Sequence, residues 1–290
     1  MIVQLSAQQI ITLTPQTQFE FADSLYKNKD YPAAKVEFQK FLFFFSQDDC
    51  ADQARFKIGL CMYYQKDYGN ALNEFAGVLE QYGPTEIGIE SGIFLSRCYM
   101  ALNDVDSAVN TLDALIRRTD AQAYHQKIYY QLAWIYVETG DFQNASLYFE
   151  KINLSGSSEY HIESIVQEIE GFHTIPSKSP LLSGALSIVP GGGYAYCGRY
   201  KDAWISLLIN SVCAAAAYES FDKDLNVLGG IIAAVGIGFY GGNIYGGVSS
   251  AHKFNKTKKT EFIHHLKNLF NYDLMAGADS DGLCDRRGYF

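Results

Sequence analysis

The first half of the sequence repeats itself with a period of 37 residues. An Asp is followed four residues later by an Ala in residues 30–34, 67–71, 104–108 and 141–145. A second small residue recurs upstream at the same interval, at Ala22, Gly59, Ser96 and Ala133. A unit of this length buries its apolar face only by stacking on its neighbours, so the period predicts a solenoid.

Each repeat has the features of two helices joined by a tight turn. Asp is a favoured N-cap, because its carboxylate accepts hydrogen bonds from the free N–H groups of a helix's first turn. Large apolar residues follow each Ala by four and seven positions, on one helix face: Phe38 and Phe41, Phe75 and Val78, Leu112 and Leu115, Phe149 and Ile152. The small residues predict points where paired helices cross closely.

This pattern resembles the tetratricopeptide repeat (TPR), whose usual unit has about 34 residues. Three extra residues per unit make the spacing similar to that of TPR lipoproteins and periplasmic TPR proteins of bacterial envelopes. The resemblance covers residues 17–153 and implies an all-α solenoid of four helical hairpins. Residues 159–172 predict a further helix that caps it, so we expect a solenoid over 17–172 after an N-terminal segment of residues 1–16.

The resemblance also implies a concave groove that binds a protein or peptide partner. The first helices would line it with residues that share one helix face: Phe19, Tyr26, Phe56, Leu60, Tyr63, Arg97, Tyr130 and Trp134. Exposed aromatic residues and Arg are frequent binding hot spots. The alternative is that these side chains pack against neighbouring helices.

The composition changes after a linker at residues 173–178. Stretches without charge cover residues 179–198, 203–218 and 225–251, and a membrane-spanning helix needs about 20 apolar residues. The sequence therefore predicts a helical membrane domain over 179–252, with two or three crossings. Pro190 and the three glycines after it interrupt the first stretch, which either spans or re-enters. A glycine-rich soluble domain is the remaining alternative.

The third stretch carries a glycine-zipper pattern. Small residues recur every four positions at Gly230, Ala234, Gly238, Gly242, Gly246 and Ser250. Small side chains let helices approach closely in lipid. The stripe predicts a helix-packing face, and it is also a candidate for homo-oligomer formation.

The first stretch ends in a motif that begins at Pro190 and ends at Arg199. It resembles the P-G-x-G-x-x-Y-x-G-R turn of small bacterial membrane domains, some of which follow TPR domains. Tyr194 departs from that pattern, since a polar residue is common at this place. The resemblance implies an architecture and assigns no activity.

Charge is distributed unevenly along the chain. Residues 1–175 hold 12 basic and 23 acidic residues, whereas residues 176–290 hold 11 and nine. The pattern of residues 253–271 predicts a basic amphipathic helix, which either contacts anionic membrane lipid or docks on the protein. Residues 272–290 are expected to form a tail.

The basic residues also predict sidedness. They follow the first and third stretches, so three crossings would leave the TPR domain periplasmic at a bacterial inner membrane. Residues 1–20 show no complete signal peptide. A re-entrant first stretch would instead leave the TPR domain cytoplasmic.

No catalytic pattern such as G-x-S-x-G or H-E-x-x-H occurs, so we expect no enzyme, metal or cofactor. The net charge of −9 argues against nucleic-acid binding. We expect a membrane-anchored TPR scaffold that binds a protein or peptide in envelope assembly or secretion. The alternative is a membrane insertion or transport component, with the TPR domain as its sensor.

Overall fold

The computed structural model describes residues 13–152 and 161–270, which form helices joined by turns, with no strand among them. The expectations for residues 1–12, for the start of the capping helix at 159–160 and for the tail at 272–290 lie outside the described residues. The chain divides into two compact units, with the division between Val166 and Gln167.

Four helical hairpins form the N-terminal unit. Its helices are α1 (Pro15–Lys27), α2 (Tyr31–Phe44), α3 (Ala51–Tyr64), α4 (Tyr68–Tyr82), α5 (Glu86–Ala101), α6 (Val105–Arg118), α7 (Gln122–Thr139) and α8 (Phe142–Glu150). Consecutive helices pack on each other, and the first helices of neighbouring repeats also touch, α3 against α5 and α5 against α7. The predicted TPR-like solenoid is confirmed.

The repeated Asp residues cap the second helix of each hairpin. Asp30, Asp104 and Asp141 each accept a hydrogen bond from the backbone N–H three residues later, over 3.1–3.3 Å. Asp67 is also an N-cap, although its carboxylate accepts from the side chain of Asn70 instead. These caps fix where each second helix begins.

The residue before each Asp lies in the left-handed region. Its φ is 61° at Lys29, 63° at Lys66, 61° at Asn103 and 70° at Gly140. This one residue reverses the chain between the paired helices in every repeat. Only glycine adopts such a φ without steric cost, so the two lysines hold strain of about 1 kcal/mol each.

The small residues lie where the helices cross. The alanine four residues after each Asp is fully buried, at Ala34, Ala71, Ala108 and Ala145. At Gly59 a Cβ atom would lie 2.7 Å from the ring of Phe75. A larger side chain at these points would push the paired helices apart.

Helix α9 (Ile162–Glu170) follows the solenoid and leads into a 3-10 turn, Gly171–Thr174. Its apolar residues Ile162, Ile165 and Ile169 are buried. The division between the two units falls inside this helix. The capping role of α9 therefore stays a prediction.

The C-terminal unit contains α10 (Pro180–Leu186), α11 (Gly192–Tyr196), α12 (Tyr200–Asp222) and α13 (Asn226–Leu269). Helices α12 and α13 run antiparallel and pack on each other, and α10 and α11 pack against α13. With 44 residues, α13 is about 66 Å long at 1.5 Å per residue. It continues through residue 252, so the predicted third stretch and the predicted basic helix are one helix.

Two of the three uncharged stretches form helices long and apolar enough to cross a membrane, α12 and α13. The first does not. Its helices α10 and α11 have seven and five residues, hence lengths of only about 10 and 8 Å. The first stretch therefore forms no single helix of spanning length, and whether it spans or re-enters stays a prediction.

Candidate functional site

Most of the predicted groove residues lie in the solenoid core. Six of the eight are buried: Phe19, Tyr26, Phe56, Leu60, Tyr130 and Trp134. The prediction that they line an exposed groove was wrong for these six. The alternative, that they pack against neighbouring helices, describes them correctly.

Aromatic contacts show why these side chains are buried. Phe19 packs edge-on against Phe38 and Phe41 of its own second helix, with ring centroids 5.5 Å apart in both pairs. Trp134 packs in the same way against Phe149, at 6.0 Å. The helix face that carries these predicted residues is therefore the face that packs against the second helix of the same hairpin.

Tyr63 and Arg97 are half-buried, and both contact the ring of Phe94. The Tyr63 ring lies edge-on to Phe94 at 5.5 Å, and the Arg97 guanidinium lies 4.6 Å from the Phe94 ring centroid. Burial raises the pKa of Tyr63 to about 12, against a small opposing effect of Arg97. The structure thus brings together two predicted groove residues, from α3 and α5, around an aromatic ring that was not predicted.

An ion pair joins the first helices of repeats one and two. Lys57 Nζ lies 2.6 Å from Asp23 Oδ1, and Lys27 Nζ lies 2.9 Å from Asp23 Oδ2. Burial opposes ionisation of Asp23, but the hydrogen bonds from Lys57 and Lys27 outweigh it, so the pKa of Asp23 is lowered. The Lys57 ammonium also lies 4.5 Å from the Tyr26 ring centroid.

The same two positions pair again in repeats three and four. Arg97 Nε donates to Gln131 Oε1 over 3.1 Å, and these residues lie two periods after Asp23 and Lys57. A further ion pair joins Glu90 and Lys127 at 2.6 Å. Polar contacts therefore join α1 to α3 and α5 to α7, and the bond to Gln131 holds Arg97 in a defined orientation.

Arg97 and Tyr63 give the surface of the first helices a cation next to an aromatic ring. A guanidinium offers several N–H donors in a fixed fork, which suits carboxylate or carbonyl oxygens. Tyr63 adds a rigid aromatic face beside it. The 37-residue register would have revealed the paired positions in the sequence, had polar residues been compared across repeats.

The small-residue stripe of α13 divides between two environments. Gly246 and Ser250 are packed: a Cβ at Gly246 would collide with the Tyr194 hydroxyl, and Ser250 accepts from Arg199 over 2.9 Å. The remaining members are exposed within the chain, and a Cβ added at three of them meets nothing within 4 Å: Gly230, Gly238 and Gly242, with Ala234 exposed beside them. No other described part of the chain packs on these three glycines, so their role as a helix-packing face stays a prediction.

Helix α13 packs instead through positions spaced by seven, at Gly229, Gly236, Asn243 and Ser250. A Cβ at Gly229 would lie 2.9 Å from the Phe221 ring, and one at Gly236 would lie 3.3 Å from Cys213. A seven-residue spacing keeps one face of a helix towards its partner. The seven-residue spacing is visible in the sequence, but the prediction followed the more regular four-residue spacing of small residues.

Asn243 is the polar centre of the C-terminal unit. Its Nδ2 donates to the Ser187 carbonyl over 2.6 Å, and its Oδ1 accepts from Gly191 N and from Ser206 Oγ, both at 2.8 Å. Asn243 therefore bonds across helices, whereas Asn210 donates to Ser206 O of its own helix.

Polarity in this unit is arranged inside out. Its buried side chains include Ser183, Ser187, Ser220, Asn243 and Ser250, whereas its exposed ones include Leu181, Trp204, Val227, Ile237 and Tyr245. Only 11% of the most apolar window of either long helix is buried. A soluble helical domain buries its apolar face, so this surface suits a lipid environment.

The predicted basic helix docks on the protein through its apolar face. Phe262, Leu266 and Phe270 are buried, and the Phe262 ring lies 5.1 Å from that of Phe172. This favours the docked alternative over contact with a membrane surface. The linker is also fixed here, because Lys178 exchanges two backbone hydrogen bonds of 2.8 Å with the Asn255 side chain.

Comparisons with known proteins agree with the helical hairpins. Two family models described as tetratricopeptide repeat match residues 53–84 and 126–152. No curated protein matches the sequence. Among solved structures, a tetratricopeptide repeat protein from Parabacteroides merdae ATCC 43184 aligns at 15% identity and a TM-score of 0.43, over 87% of this chain and 98% of that chain. Residues 53–84 and 126–152 are therefore similar to tetratricopeptide repeats, and they lie within an all-helical, TPR-like fold.

Proposed function

We propose that this protein is a membrane-anchored TPR scaffold. Its solenoid binds a protein or peptide partner, and its C-terminal unit holds that complex at a lipid bilayer. TPR repeats in general suggest a scaffold for protein–protein interaction. The membrane anchor, and a role in bacterial envelope assembly or secretion, are the further content of this proposal.

The observation that carries the anchor is the inside-out polarity of the C-terminal unit. Apolar side chains are exposed on α10, α12 and α13, as at Leu181, Trp204 and Ile237. Exposing such a surface to water would cost free energy in proportion to its area. A lipid bilayer removes that cost, and α12 and α13 are long enough to cross one.

The partner surface we propose is centred on Tyr63 and Arg97. The polar pairs along the first helices fix the backbone around it, so a partner need not order this surface on binding. Buried polar side chains of the C-terminal unit are held by hydrogen bonds within the unit, as Ser183 is to the Gly247 carbonyl and Asn243 to Ser206. This supports the scaffold over a transport role for the membrane part.

Photocrosslinking in membranes tests the scaffold. The photoreactive amino acid benzoylphenylalanine replaces Tyr63 in the full chain, and a control carries it at Asn110, an exposed position of α6. We expect a discrete crosslinked product from Tyr63, retained in the membrane fraction after carbonate washing and absent from Asn110.

The second arm of this test adds Arg97→Ala to the chain that carries benzoylphenylalanine at position 63. We expect this substitution to lower the yield of the crosslinked product. Crosslinks of equal yield from Tyr63 and Asn110 would contradict the partner surface. Recovery of the full chain in the soluble fraction would contradict the anchor.

A further inference from the structure

We propose that the segment of α10 and α11 is a re-entrant hairpin that enters the bilayer and returns to the same side. In that case α12 and α13 are the only crossings among the described residues, and the TPR solenoid lies on the cytoplasmic side. The inference rests on the proposed membrane anchor and identifies the compartment from which the solenoid recruits its partner.

Contacts with α13 trace the path of the hairpin. On the way in, Lys178 bonds to Asn255, Ser183 Oγ donates to the Gly247 carbonyl over 2.8 Å, and Ser187 O accepts from Asn243. At the tip, the Tyr240 hydroxyl donates to the Ile188 carbonyl over 3.0 Å.

The second half of the hairpin contacts the same part of α13 in the reverse order. Gly191 N donates to Asn243, Gly193 faces Gly247, and Arg199 donates to Ser250. The chain therefore moves along α13 from residue 255 to residue 240 and back to residue 250. Both ends of the hairpin lie at the same end of the apolar part of α13.

The depth of the hairpin follows from the helix rise. The apolar part of α13 ends at Ala251, 11 residues after Tyr240, which corresponds to about 17 Å at 1.5 Å per residue. A hydrocarbon core is about 30 Å thick, so the tip reaches roughly its middle. Leu181, Ile188 and Val189 are exposed along the hairpin and face the same apolar surroundings as α12 and α13.

A turn inside a bilayer needs partners for its backbone groups, because lipid offers none. Asn243 and Tyr240 supply them. Asn243 satisfies the Ser187 carbonyl and the Gly191 N–H, and Tyr240 satisfies the Ile188 carbonyl. Gly191 permits the turn itself, with φ of 89° and no room for a Cβ beside the Ala203 carbonyl.

The charges at the two ends of the α12–α13 pair then predict its orientation. Basic residues collect at the end where the hairpin enters, at Arg199, Lys201, Lys253, Lys256, Lys258 and Lys259. The opposite end is the connection between α12 and α13, where Lys223 lies between Asp222 and Asp224. Lys and Arg in short loops mark the cytoplasmic side.

The solenoid joins the hairpin at this basic end. The described residues before the hairpin include no helix that could cross a membrane, so they lie on the side from which the hairpin enters. The expectation of a periplasmic TPR domain depended on three crossings, and the hairpin removes the first of them. The partner of the solenoid is accordingly a cytoplasmic protein.

Cysteine labelling with a membrane-impermeant maleimide tests this topology in spheroplasts that express the full chain. Single cysteines replace three exposed residues: Asn73 in the solenoid, Asp222 at the α12–α13 connection and Thr257 in α13 beyond its apolar part. Asp222 is chosen over Lys223 because acidic residues contribute little to topology, whereas removing a Lys would bias it.

The background keeps the buried cysteines and lacks Cys50, Cys213 and Cys284. Burial raises the pKa of the Cys61 and Cys98 thiols to about 12, so they stay protonated and unreactive at neutral pH. Cys197 is buried as well. This background must remain unlabelled in intact and in permeabilised spheroplasts before the three variants are compared.

We expect Asp222→Cys to react in intact spheroplasts, and Asn73→Cys and Thr257→Cys to react only after permeabilisation. Reaction of Asn73→Cys but not Thr257→Cys in intact spheroplasts would restore three crossings and overturn the hairpin. Reaction of both, without Asp222→Cys, would keep the hairpin and reverse its orientation, which overturns the cytoplasmic solenoid. A chain released by carbonate washing would instead refute the proposed anchor.

Discussion

The side-chain nitrogen of Asn243 lies 2.6 Å from the carbonyl oxygen of Ser187, 56 residues earlier in the chain. The same side chain accepts from Gly191 N, so one residue of α13 satisfies both sides of the turn between α10 and α11. No apolar residue can replace it without leaving two buried backbone groups unpaired.

Asn243→Leu tests this role. We expect it to destabilise the C-terminal unit by about 3 kcal/mol, because each unsatisfied backbone group costs about 1 to 3 kcal/mol. Thermal stability of the detergent-solubilised chain, followed by fluorescence-detected size exclusion, measures the effect. Asn210→Leu is the matched control, since Asn210 bonds only within its own helix. An equal loss of thermal stability in both variants would contradict the role of Asn243 in pairing the backbone of the turn.

Leucine substitutions separate the two faces of α13. Gly247→Leu should unfold the C-terminal unit, because even a Cβ there overlaps the Ser187 hydroxyl and lies 3.3 Å from Gly193. Gly238→Leu should leave the stability of the single chain unchanged, because a Cβ there meets nothing within 4 Å. The same detergent assay compares them, and an unfolded Gly238→Leu variant would contradict the assigned packing face.

Self-association through the exposed part of the stripe stays a prediction that Gly238→Leu also tests. If a second copy packs there, the bulky side chain should convert a dimer into a monomer, because small residues are what permits close helix contact in lipid. Crosslinking in the membrane, followed by gel electrophoresis, measures the change. Identical oligomer distributions for the original chain and Gly238→Leu would remove this role of the stripe.

Lys66→Gly should stabilise the solenoid by about 1 kcal/mol, because glycine adopts the left-handed φ of this turn without strain. Gly140→Ala, at the equivalent turn, should destabilise it by a similar amount. The free energy of unfolding of the solenoid is measured in urea by Trp134 fluorescence. The background carries Trp204→Phe, since the chain has only these two tryptophans. Changes in the same direction for both variants would contradict the shared turn geometry.

Asp23→Asn should cost about 2 kcal/mol of solenoid stability at pH 7, because it leaves the Lys57 ammonium without its carboxylate. The pKa of Asp23 is lowered in the folded chain, so its contribution is present above the unfolded pKa and is lost as pH falls through the folded pKa. The difference between the original chain and Asp23→Asn in urea unfolding should therefore shrink from pH 7 to pH 3. A difference that persists undiminished at pH 3 would contradict the ion pair.

The solenoid could be predicted from the sequence because its signals are local and repeated. The caps at Asp30, Asp104 and Asp141 and the small residues at Ala22 and Gly59 occupy the predicted positions. Each depends on neighbours within one hairpin, and four copies in register remove the ambiguity that a single hairpin would leave.

The groove and the membrane packing face could not be predicted in the same way. A helical period shows that Phe19 and Trp134 share a face with their neighbours, but it does not show which partner covers that face. Likewise, Gly242 and Asn243 are adjacent in sequence, and only the placement of the hairpin shows that the second is packed and the first is open. Both outcomes depend on contacts between residues far apart in the chain.

Lipid exposure of the C-terminal unit is the central claim, and spin-label accessibility in proteoliposomes measures it most directly. Labels at Val212→Cys and Ile237→Cys lie on exposed apolar sites of α12 and α13, and a label at Asn73→Cys is the aqueous reference. We predict high oxygen and low nickel-chelate accessibility at the first two sites, because oxygen concentrates in lipid and the chelate does not, and the reverse at Asn73. High nickel-chelate accessibility at both apolar sites would contradict the account.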